Sequence, residues 1–162
     1  DKKMTTGFLN SNRQPLRKHE QIAVFYKKQP VYNPKFSEGQ PLHGKGKNYK
    51  SNDIKNNNYG KFNILDDYRK GSTKKYPTSI LSIQKVHPSK TIHPTEKPVE
   101  LMQYLIETYT KPREIVLDNC MGSGTVGIAC LNCNRSFIGI EVNKKYYNIA
   151  SERIYKKIIR GD

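Results

Sequence analysis

At 162 residues the chain has the length of one domain, enough for one modest core and not for two independent ones. Lysine and arginine outnumber aspartate and glutamate 29 to 14, and the net charge of +15 favours a polyanionic partner, either nucleic acid or an anionic membrane surface. No run approaches the ~20 apolar residues of a membrane span and no signal peptide opens the sequence, so a soluble cytoplasmic protein is expected.

Residues 1–27 begin with a polar lead-in from Asp1, and the start at Asp rather than Met suggests an excised or truncated piece. The apolar and aromatic run Gln21-Ile22-Ala23-Val24-Phe25-Tyr26 reads as a buried strand for which nothing upstream supplies a partner. Residues 28–90 form a different regime, with 13 Lys and Arg against 4 Asp and Glu, interleaved with Tyr and Phe and rich in Gly, Asn and Ser. Ser79-Ile80-Leu81-Ser82-Ile83 reads as a strand, and the rest as loop. By composition this stretch is either a solvated insertion or a nucleic-acid contact surface, in which cations meet phosphates and rings stack on bases.

Residues 91–162 read as regular α/β structure. Thr95 is placed to cap a helix with Pro98 in its first turn, carrying Met102, Leu105, Ile106 and Tyr109 at helical spacing and stopping at Lys111-Pro112. Ile115-Val116-Leu117 is a continuous apolar run, the pattern of a parallel strand covered on both faces. A glycine-rich turn, Asp118 to Thr125, leads into a helix marked by Val126, Ala129, Cys130 and Cys133. Phe137-Ile138-Gly139-Ile140 reads as a second buried strand ending at Glu141, and Asn143 caps a last helix bearing Tyr147, Ala150, Ile154 and Ile158. The order strand, glycine turn, helix, strand, helix is half of a doubly wound nucleotide-binding fold. The CxxC of Cys130 and Cys133 has no second pair of ligands, so no metal site is expected and the thiols read as buried packing.

The turn Asp118-Asn119-Cys120-Met121-Gly122-Ser123-Gly124-Thr125 lets backbone pass close to a ligand, and the helix behind it presents free N–H groups. Glu141, closing the next strand, is suited to accept both hydroxyls of a ribose. The combination favours an adenosine-containing ligand over a purely structural turn, and Gly127 completes a formal G-x-G-x-x-G, which keeps a dinucleotide open at this point. A G-x-x-x-x-G-K-[ST] loop is absent, which disfavours ATP.

His93-Pro94-Thr95-Glu96-Lys97-Pro98, Val99-Glu100-Leu101 and then Asp118 to Thr125 resemble the paired cofactor motifs of bacterial and phage DNA methyltransferases. These enzymes modify N6 of adenine or N4 of cytosine, and the order of motifs resembles the permuted group, whose catalytic motif precedes the cofactor motifs. The resemblance implies an incomplete Rossmann-like S-adenosylmethionine-dependent methyltransferase fold, formed by 1–27 and 91–162, with 28–90 as a loop-rich basic target-recognition insertion. It further implies S-adenosylmethionine over the turn. Asp118 and the backbone of Cys120, Met121, Gly122, Ser123, Gly124 and Thr125 would hold the methionine end, Thr95 and Lys97 would lie near its carboxylate, and Glu141 would take the ribose. His93 reads as a structural cap. Two departures stand out: Asn119 and Cys120 replace a frequent Pro-Phe pair, and Glu96 stands where Gln is common, adding negative charge near the site.

Such enzymes free the lone pair of an exocyclic amine with a [DNS]-P-P-[YFW] loop that also stacks on the flipped base. No two of the nine prolines are adjacent, so this tetrapeptide is absent from the chain, and in the permuted order it is expected upstream. The implied partner is double-stranded DNA with base flipping. Lys45, Lys47, Lys50, Arg69, Lys74 and Lys75 are the expected phosphate contacts. Competing readings are an RNA methyltransferase piece, a non-catalytic basic nucleic-acid-binding module, and a remnant from a decaying prophage. The abundance of Lys, Asn, Ile and Tyr suits an AT-rich bacterial or phage genome, and an oligomer is compatible with all of these.

Overall fold

The computed structural model describes residues 8–41 and 71–161. The chain divides into two units, Asp1–Asn33 together with Ser79–Asp162, and Pro34–Thr78. Of the expected phosphate contacts, Lys45, Lys47, Lys50 and Arg69 lie outside the described residues. In the smaller unit a minimal antiparallel ladder joins β1 (Ser37–Glu38) to β2 (Lys74–Lys75), with Ser37 opposite Lys75 and Glu38 opposite Lys74. Phe36 and Tyr76 flank the ladder with ring centroids 4.8 Å apart, an aromatic pair that adds packing where the hydrogen bonds are few.

The larger unit holds α1 (Val99–Tyr109), β3 (Ile115–Asp118), α2 (Thr125–Asn132), β4 (Ser136–Gly139) and α3 (Lys144–Arg160). β3 and β4 pair in parallel, Ile115 beside Ser136 and Asp118 beside Gly139, with α2 as the crossover. Ile106, Ala129, Cys130 and Cys133 form the buried core, with Val99, Met102, Val116, Val126 and Phe137 packed against it. Both α1 and α2 therefore present their apolar faces to the same side of the strand pair. Burial of the Cys130 thiol pushes its pKa up to about 11, and burial raises Cys133 as well, which leaves both as inert packing groups. Asn143 caps α3 as the sequence indicates, its side chain accepting from the Lys145 and Tyr146 amides, and Gly161 ends that helix in the left-handed region. The C-terminus of α1 is tied down from far away in sequence. Asn33 donates its backbone N–H to Thr108 O at 2.8 Å and its side-chain amide to Glu107 O and Thr110 O, carbonyls at the C-terminal end of the helix.

Four sequence expectations need correction. Gln21–Tyr26 is not a buried strand: among the described residues it joins no ladder, and it lies exposed, with Phe25 92% accessible. Ser79–Ile83 is likewise outside any strand, and Ile80 is exposed. In both, β-branched residues signalled a strand, but such residues give only a preference, which the path of the chain overrides. Thr95 does not cap α1. The cap is Pro98, with extended backbone and no side-chain bond, while Thr95 turns its amide and hydroxyl back to His93 Nδ1 at 3.3 and 3.1 Å. Finally, among the described residues β3 and β4 are covered on one face, not two. The two-residue period of a strand sends Val116 and Phe137 into the core and Ile115, Leu117 and Ile138 to the opposite side, where they are 65%, 61% and 51% exposed.

Candidate functional site

The parallel register delivers the C-terminal ends of β3 and β4 side by side, and the chain closes them with two backbone bonds. The Ile140 N–H donates to Asp118 O at 2.8 Å, and the Met121 N–H donates to Ile140 O at 3.0 Å. The glycine turn is thereby anchored to the end of the neighbouring strand. Its tight path needs left-handed backbone at Gly122 (φ 52°) and Gly124 (φ 77°), a region that L side chains avoid. Residues 121–125 are all buried, while Cys120 at the lip is exposed.

Two carboxylates hold this turn. Asp118 Oδ1 accepts the Cys120 N–H at 3.0 Å. Glu141 uses both oxygens: Oε2 accepts the Gly122 N–H at 2.9 Å and Oε1 the Asn143 N–H at 2.8 Å. The Asn143 amide, the Gly122 amide and the charge field of His93 hold the Glu141 carboxyl below its ordinary value, so it is an anion at neutral pH. Each carboxylate oxygen accepts more than one hydrogen bond, which leaves Glu141 capacity for a ligand hydroxyl.

The loop 93–98 lies against the turn. A Cβ on Gly122 would sit 3.3 Å from His93 Cγ, and the His93 ring meets Tyr146 of α3 edge-on at 4.3 Å. Glu96 buries its side chain to 4% exposure and takes four partners: the Ile92 N–H (2.7 Å), the His93 backbone, the Arg153 guanidinium (2.9 Å) and the Thr125 hydroxyl (3.3 Å). Burial alone would raise the Glu96 carboxyl, but the Ile92 amide and Arg153 outweigh it and the net shift is downward.

Lys97 turns elsewhere. Its ammonium reaches Glu20 Oε2 at 2.5 Å, and Lys85 holds the other oxygen at 2.5 Å. Lys85 and Lys97 together bring the Glu20 carboxyl down to about 2. All three side chains are roughly half exposed, so Glu20→Gln should cost less than ~1 kcal/mol at pH 7. Because the carboxyl is lowered in the folded state, its contribution is complete above its ordinary value of 4.5 and fades as pH falls towards about 2. Thermal melts of the variant and the parent should therefore converge at the acid end, and a gap persisting there would contradict this assignment.

The structure thus brings Asp118, Gly122, Ser123, Gly124, Thr125 and Glu141 into one site, with His93 and Thr95 beside it. It engages Lys97 with Glu20 rather than with the turn. Sequence reading missed Arg153, which donates to Glu96, Ser123 and Thr125 together. The available signal was its place three residues after Ala150, on the face of α3 that the turn approaches.

A parallel β-α-β unit with a glycine turn and acidic residues at both strand ends defines the Rossmann-like α/β class. Within that class the chain belongs to the N6/N4 family of DNA methylases, whose family profile matches residues 2–152. It is 31% identical over 112 residues to the type II methyltransferase M2.LlaDCHI of Lactococcus lactis subsp. cremoris, covering 69% of this chain and 42% of that protein. It is 43% identical over 77 residues to the type II methyltransferase M.HindIII of Haemophilus influenzae, covering 48% and 25%. Among solved structures, a complex of M1.HpyAVI with SAM is similar over 48% of this chain and 40% of that one, at 45% identity and a TM-score of 0.39. The chain therefore spans well under half the length of these relatives.

Proposed function

We propose that this chain binds S-adenosylmethionine over the glycine turn and serves in methylation of an exocyclic amino group of a DNA base, N6 of adenine or N4 of cytosine. The observation that carries this reading is the Glu141–Gly122 clamp across two adjacent strand ends, inside the span that matches the DNA methylases. The site suits the ligand's parts. Gly122 and Gly124 present backbone without side chains, and Glu141 has lone pairs free for a neutral diol. When bound, S-adenosylmethionine supplies an electrophilic methyl group on its sulfonium. Asp118 and the backbone of 120–125 orient the methionine end. Thr95 stands near its carboxylate, and Lys97 reaches it by leaving an exposed ion pair worth little.

In this reading 28–90 is the target-recognition insertion, and its cations, Lys74 and Lys75 on β2 included, contact phosphates of duplex DNA while a base is flipped out. The motif order is that of the permuted group, in a restriction–modification setting of bacterial or phage origin. The 162 residues contain no [DNS]-P-P-[YFW] tetrapeptide, so the chain by itself should bind cofactor without transferring methyl groups. Calorimetry with S-adenosylmethionine and a transfer assay with labelled cofactor and duplex DNA test the two halves separately. Saturable binding with no turnover is the expected pair of results. Absence of binding would sink the cofactor reading, and turnover above background would sink the claim of silence.

A further inference from the structure

We infer that Arg153 is a positioning residue for the cofactor turn, acting with Glu96 as a buried staple that joins loop 93–98, the glycine turn and α3. The two N–H groups of one guanidinium nitrogen, Nη1, are shared among Glu96 Oε1 at 2.9 Å, Ser123 O at 3.2 Å, Ser123 Oγ at 3.4 Å and Thr125 Oγ1 at 3.4 Å. Glu96 and Arg153 are 57 positions apart in sequence and Ser123 is 30 from Arg153, so three separately folded segments meet at one charge pair. The pair is sheltered, with side chains 4% and 25% exposed. A charge pair in that setting is held at one geometry, because losing either partner strands the other charge out of water. What it fixes is the Ser123 carbonyl and the Thr125 hydroxyl, at the joint between the turn and the first residue of α2. Glu141 secures Gly122 from one strand end, and Arg153 secures the next residue from α3. The pair also answers the charge question raised by the sequence: the carboxylate that replaces a commoner amide is neutralised inside the fold.

The groups facing the Glu96 carboxylate are Arg153 from α3, the Thr125 hydroxyl from α2, and the Ile92 and His93 backbone within its own loop. Among the described residues Arg153 is the cation paired with Glu96, so removing it changes how Glu96 responds to pH. The inference rests on the proposal that S-adenosylmethionine lies over this turn, and binding by the parent chain checks that proposal first.

With binding by the parent established, Arg153→Met is expected to raise Kd about tenfold near neutral pH, the scale of coupling inside one hydrogen-bonded network. Affinity should then recover in part as pH falls, since the buried Glu96 carboxyl has lost the cation that helps hold it ionised and takes up a proton more readily than in the parent. The double variant Arg153→Met with Glu96→Gln should still bind more weakly than the parent, yet lose the extra pH dependence. An Arg153→Met chain that is folded and binds like the parent at every pH would overturn the staple. So would a double variant of parental affinity, which serves as the decisive comparison if the single variant does not fold.

Discussion

Glu141→Ala should weaken S-adenosylmethionine binding by about a hundredfold, the scale expected when a charged acceptor of hydrogen bonds is deleted from a binding site. The reason lies in what this side chain does at once. It terminates Gly122 N–H and Asn143 N–H, and it is the acidic group at the end of β4 available to a ribose diol. Glu141→Gln separates these roles. The amide oxygen can replace one acceptor, but the amide nitrogen cannot accept from the second N–H, so its Kd should fall between those of the parent and the alanine variant. The melting temperature should fall in the alanine variant, because the buried Gly122 N–H loses its acceptor, but the protein should stay folded, since Asn143 still caps α3 through its own side chain and the paired strands retain their ladder. Isothermal titration alongside a thermal melt reads both quantities. Parental affinity in the alanine variant would remove Glu141 from the site.

Gly124→Val should strike the fold itself. A β-branched residue at φ 77° is strained by ~1–3 kcal/mol, and its Cβ would lie 3.0 Å from Ala150 Cβ and 3.2 Å from Ala150 Cα. Ala150 is fully buried and its Cα belongs to the α3 backbone, so the helix must retreat for the side chain to fit. Overpacking of that kind adds ~1–3 kcal/mol. Together these should lower the Tm by about 10 °C for a chain of this size. Moving α3 also carries Arg153 away from Ser123, so surviving folded protein should bind cofactor poorly. Gly124→Ala, with the same φ and a smaller group, should fall between the two. Scanning calorimetry orders the three proteins, and equal melting of the valine variant and the parent would show that α3 is not pressed against this turn.

Local chemistry made part of the fold readable. Asn143 before a helical period gives a capped helix, and glycines between two apolar runs give a turn with left-handed residues, because both follow from a few adjacent side chains. The clamp was half legible. An acid closing a strand is visible in sequence, whereas its bond to Gly122 needs the parallel register that puts Asp118 beside Gly139. The Glu96–Arg153 pair left no mark, since contacts between residues 57 apart impose no period on the sequence. The misread strands failed for the opposite reason. Ile22, Val24 and Phe25 have the composition of a strand, but composition cannot say whether a neighbouring strand is there to receive it. Lys97 shows the same limit for charge: which of several carboxylates claims an ammonium is decided by where the chain passes, here past Glu20.

The one-sided strand pair has a consequence for the molecule in water. Ile115, Leu117 and Ile138 form an oily ledge on a body that otherwise carries a surplus of fifteen positive charges. Mutual repulsion keeps such bodies apart in dilute buffer, and added electrolyte screens that repulsion while leaving the ledge as sticky as before. Self-association that rises with ionic strength is therefore the expected behaviour, and light scattering across a salt series would read it.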